Sequence, residues 1–106
     1  MTLIVLPIIE KKTDVGYKIA IGKFSGPASY SSGGFTVTFP TLRKIHHAII
    51  FTSKGYAADI ASISGNSITV IAMYYDYDAA ADGPAIEVAS GTDLSGVEFT
   101  VLVVGE

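Results

Sequence analysis

"FTVTF", Phe35–Phe39, is the stretch that decides the fold. Successive side chains of an extended chain point to opposite sides. Phe35, Val37 and Phe39 therefore share one face, and Thr36 and Thr38 share the other. Bulky apolar groups on one side and hydroxyls on the other describe a strand with one side buried and one wet. Pro40, which has no N–H to give a sheet ladder, stops it.

Upstream, "SGPASYSSGG" (25–34) is a loop by its Gly, Pro and Ser content. Gly33 and Gly34 are placed to let the backbone turn tightly into the Phe35 strand. They lack the following helix and lysine of a phosphate-cradling loop. "YKIAIGKF" (17–24) alternates again, with Tyr17, Ile19 and Ile21 on one face and Lys18 and Ala20 on the other. "TLIVLPII" (2–9) reads as one further strand, placed at an edge or a bend by Pro7. Its apolar run is too short to span a bilayer and precedes Lys11 and Lys12, so it reads as a strand of an untargeted protein.

Downstream, "TLRKIHH" (41–47) has room for one short helical turn at most, with Leu42 and Ile45 facing the core. "HAIIF" (47–51) resumes strand, and "SKG" turns. "YAADIASI" (56–63) and "SITVIAMYY" (67–75) flank Gly65-Asn66, a pair suited to a hairpin. "PAIEVA" (84–89), the turn "SGTDLSG" (90–96) and "VEFTVLVV" (97–104) complete the chain. Asp93 is placed to accept from backbone N–H groups two or three residues on, with Gly96 closing the turn and Leu94 plugging the end of the sheets. About eight short strands at this spacing predict an all-β fold with little or no helix. The expected architecture is a compact antiparallel β-sandwich or jelly-roll-like barrel, a single domain over 1–106.

Composition narrows the function classes. Hydrophobic residues make up 49% and charged residues 16% of the 106, against roughly 25% charged in an average soluble domain. A core this small leaves apolar surface over, and such a surplus is usually covered by another subunit. The net charge of -3 and the two isolated basic pairs, Lys11-Lys12 and Arg43-Lys44, leave no footprint for nucleic acid or an anionic membrane. Without cysteine, disulfides, thiolate catalysis and Cys-ligated metals are excluded.

"YYDYDAAADG" (74–83) holds the densest chemistry. Asp76, Asp78 and Asp82, with Glu87 twelfth from Asp76, imitate part of a calcium loop. Ala80 occupies a ligand position, Ala81 stands where the sharp turn wants Gly, and the flanks read as strands. Tyr75 and Tyr77, on one face if the strand continues, could stack on a sugar whose hydroxyls reach Asp76 or Asp78. Tyr74, Tyr75 and Tyr77 serve equally as rigid contact area. A carboxylate pair from Asp76, Asp78 and Glu87 would need a substrate cleft that a chain this short has little room for. His46 and His47, as neighbours on extended chain, point apart and do not share a metal. The reading is a non-enzyme without cofactor, whose candidate contact residues are Tyr74, Tyr75, Asp76, Tyr77 and Asp78.

Several short motifs resemble the small virion structural proteins of tailed phages. They are Tyr30 with Gly33-Gly34, Leu42 with Ile45, Gly55-Tyr56, and the closing Glu87-Val88, Gly91–Gly96 and Gly105. The likeness covers roughly Ser25–Gly105 and passes over Tyr74–Gly83. It implies a capsid decoration or minor head protein, located in the virion after assembly in the host cytoplasm, with no catalytic residues to carry over. Its partners would be the major capsid protein or other virion proteins and sister subunits, a trimer being favoured. A small carbohydrate- or surface-binding module of a tail or fibre is the alternative.

Overall fold

The computed structural model describes residues 2–12, 16–74 and 86–106. Among these are nine strands and no helix: β1 (Thr2–Ile4), β2 (Ile9–Lys12), β3 (Lys18–Ser25), β4 (Phe35–Thr38), β5 (Ile45–Thr52), β6 (Tyr56–Ser64), β7 (Ser67–Tyr74), β8 (Ile86–Glu87) and β9 (Glu98–Gly105). They form two sheets. The first runs β1-β4-β7-β6, with β8 also on β7, and the second runs β2-β3-β9-β5. This is the expected sandwich, and it does not close into a barrel. All pairs are antiparallel except β1–β4, which is parallel.

The expected alternation of Phe35–Phe39 holds: Phe35, Val37 and Phe39 are buried. Across the ladder Phe35 pairs Val70 and Val37 pairs Ile68, so β7 presents its buried face in step. From the second sheet β9 contributes Phe99, Val101 and Val103, all buried. Phe99 stacks on Phe24 at 5.2 Å and meets Phe35 edge-on at 5.7 Å, giving the core an aromatic centre.

Two expectations need correction. The run Thr2–Ile9 is two strands rather than one. Between them the chain passes Val5–Ile8, including Pro7, and crosses from the edge of the first sheet to the edge of the second. Gly22 allows this crossing, because a Cβ there would lie 2.6 Å from Val5 Cγ1 and 3.0 Å from Phe39 Cε1. The stretch 41–47 forms no helix. Leu42 N–H closes one turn on the Phe39 carbonyl at 3.1 Å, and β5 begins two residues earlier than expected, at Ile45. Leu42 and Ile45 are buried all the same.

Candidate functional site

Tyr74 ends β7, pairing with Tyr56 on β6 and with Ile86 on β8. Its ring is part of an open cleft of about 440 Å³ with Lys54, Tyr56, Val88 and Thr92. Tyr75, Asp76, Tyr77 and Asp78, and Asp82 beyond them, lie outside the described residues. Glu87, weighed above as a calcium or acid–base carboxylate, has another task. Its Oε1 accepts from Ser32 Oγ at 3.0 Å and from Gly33 N–H at 3.1 Å, tying the 32–33 turn to β8. Among the described residues no three His, Asp or Glu side chains converge as a metal group.

That turn is built tightly. Gly33 and Gly34 have φ of 95° and 107°, a region that glycine enters without penalty. A Cβ on Gly34 would also collide with the Val70 carbonyl. Tyr30 anchors the loop from inside: it is 1% exposed, its hydroxyl accepts Ala72 N–H at 3.2 Å, and its main chain bonds Gly91 and Thr92. Burial pushes the Tyr30 phenol up, the Ala72 bond opposes this, and the Glu87 charge adds to it. At the same end Asp93 Oδ1 accepts Ser95 N–H at 2.9 Å and Ser95 Oγ–H at 2.6 Å, and Leu94 is fully buried. These bonds from Ser95, hydroxyl first and then backbone, hold the Asp93 carboxyl below its usual range. Gly96 is exposed, 3.5 Å from Lys54 Nζ at its would-be Cβ, so nothing there demands glycine.

The two histidines part company at a bulge between Ile45 and His47. His46 Nε2 lies 2.8 Å from Glu106 Oε2, and the Tyr17 ring meets the imidazole edge-on at 5.5 Å. Arg43 Nη2 donates to Glu106 Oε1 at 2.9 Å. The His46 bond first, and the Arg43 bond next, hold the Glu106 carboxyl low.

The largest feature is one that residue patterns did not single out. In the second sheet the paired residues Ile9–Ile21–Leu102–Ile49 form a row across all four strands, on the side away from the core. Lys11–Ile19–Val104–His47 runs beside it, and Lys23–Thr100–Phe51 lies on its other flank. Ile9, Ile19, Ile49 and Phe51 are exposed by 41–60%. The outer side of the first sheet differs: its rows Thr36–Thr69–Ser62 and Thr38–Ser67–Ser64 carry hydroxyls, with the exposed Ile4 of β1 beside Thr38 at the edge. The signal was present in "AIIF" and "VLVV", which are apolar at both parities. Such runs are usual in strands covered on both faces, whereas here the outer side is left exposed at Ile49 and Phe51.

The fold thus defines an all-β sandwich with one aliphatic outer face. Comparison with family models, curated proteins and solved structures finds no match for the chain.

Proposed function

We propose that this protein is a structural assembly subunit, of the capsid decoration or minor head kind, that works by adhesion. The observation that carries the reading is the aliphatic row Ile9–Ile21–Leu102–Ile49 on the open side of a sheet. A face roughly 20 Å wide that is apolar on all four strands is unfavourable in water and gains by being covered. The resemblance of the 25–105 segment to small tailed-phage virion proteins supplies the kind of partner: a capsid lattice together with sister subunits. Rigidity suits that role, since Tyr30, Glu87 and Asp93 lock the loops at one end of the sandwich by hydrogen bonds.

Co-sedimentation with capsid shells lacking this protein tests the reading. The purified chain is expected to pellet with the shells. A chain that ignores the shells overturns the proposal. The Tyr56–Tyr74 cleft with Lys54 favours a second reading, sugar binding at a particle surface. A glycan array run in parallel decides for it if binding appears and is lost on Tyr56→Ala.

A further inference from the structure

From the register of the second sheet we infer that its outer face pairs with the same face of a second copy of this chain, across a two-fold axis parallel to the strands. The inference deepens the assembly reading, but the pairing itself does not depend on a virion. β3, β5 and β9 are each eight residues long. β2 has four residues, but the exposed Leu6–Ile8 stretch before it, held to β3 by Ile8 N–H on the Ile21 carbonyl, extends that margin to seven. The face spans roughly 20 by 25 Å. Two such faces in contact remove about 1,000 Å² from water, the floor for a specific interface.

Symmetry selects the occupant. A three-fold contact is heterologous and needs two different complementary patches, whereas a single aliphatic face complements itself and closes as a pair. With the axis between β3 and β9, β2 lies over β5 of the second copy and β3 over its β9. Ile9 then meets Ile49, Ile21 meets Leu102, and Ile19 meets Val104. Phe51 comes beside the exposed Leu6–Ile8 segment of the second copy. Lys11 faces His47 and Lys23 faces Thr100, so no two lysines confront each other. An axis across the strands would set Lys23, with its Glu98 ion pair at 3.8 Å, over the apolar Ile19 and bring both charges out of water. Aligned packing at about 10 Å and −30° is the ordinary geometry for two such sheets.

Sedimentation equilibrium of the full chain, with cross-linking, tests this. A mass of two chains is expected, with Ile49→Asp weakening the pair by ~30-fold or more, as at a buried interface centre. The chain has no cysteine, so single cysteines report position cleanly. A bis-maleimide spanning about 10 Å is expected to join Ile9→Cys to Ile49→Cys chains when the two are mixed, and to leave Ile9→Cys alone unlinked. Thr36→Cys, on the opposite sheet, is expected to stay unlinked as well. A monomer at high concentration, a trimer, or linking of Ile9→Cys to itself overturns the inference. Each of these leaves the shell experiment free to succeed, and shell binding can fail while the pair persists.

Discussion

Tyr30 shows how one residue holds a loop and a sheet together. Its ring is buried against Phe35 at 6.3 Å, and its hydroxyl is the acceptor for Ala72 N–H. Tyr30→Phe keeps the ring and strands that N–H. The expected loss is about 1–3 kcal/mol of unfolding free energy in urea titration, and an unchanged midpoint would refute the role. The raised phenol has a consequence of definite sign. The neutral form is favoured in the folded state, so its contribution is complete below the ordinary value near 10.0 and is lost as pH rises through the higher folded value.

Elements depend on ties of the same kind at their ends. Glu106, the residue after β9, is clamped to the stretch before β5: Arg43 N–H donates to the Glu106 carbonyl at 2.6 Å, and Glu106 N–H donates to the Lys44 carbonyl at 2.8 Å. The Glu106 carboxylate adds His46 and Arg43 to that clamp. Because its folded value is depressed, this contribution is present above the ordinary carboxylate range and disappears as pH falls through the lower folded value. NMR titration should place the Glu106 midpoint below that of an unstructured glutamate, and Glu106→Gln should remove the acid-side loss of order in this clamp. A midpoint at the ordinary value would contradict it.

Legibility at this level followed the contrast between faces. β4 could be read because Thr36 and Thr38 differ in kind from Phe35, Val37 and Phe39. The division of Thr2–Ile9 could not, since Leu3, Val5, Ile8 and Ile9 are apolar on both sides of Pro7 and no periodicity marks a change of sheet. In β3 the alternation was visible, but its sense ran against size. The small Ala20 and Gly22 turn inward because the core behind them is already filled by Val5 and Phe39, and Ile19 and Ile21 turn outward. The contact residues favoured by aromatic and acidic density were Tyr74–Asp78, of which the described residues include Tyr74 alone. The face that stands out is made of ordinary isoleucines, legible only once register aligns them.

For the whole molecule, the net charge and the aliphatic face are separate matters. The chain carries -3, while the second sheet's outer face is aliphatic with Lys11 and Lys23 at its margins. Association through it should therefore be little weakened by sodium chloride and strengthened by sulfate, which favours apolar burial. Sedimentation across salt series checks this, and dissociation at about 0.5 M sodium chloride would assign the contact to charge instead.

The hydroxyl rows of Thr36, Thr38, Ser62, Ser67 and Thr69 now take on a meaning for valence. A protein adhesive on both broad sides would stack without end. Here the aliphatic character is concentrated on one broad side and hydroxyls on the other, while the margin along β2 carries Glu10, Lys11 and Lys12, charges that discourage strand addition. Growth by the inferred contact would stop at two copies.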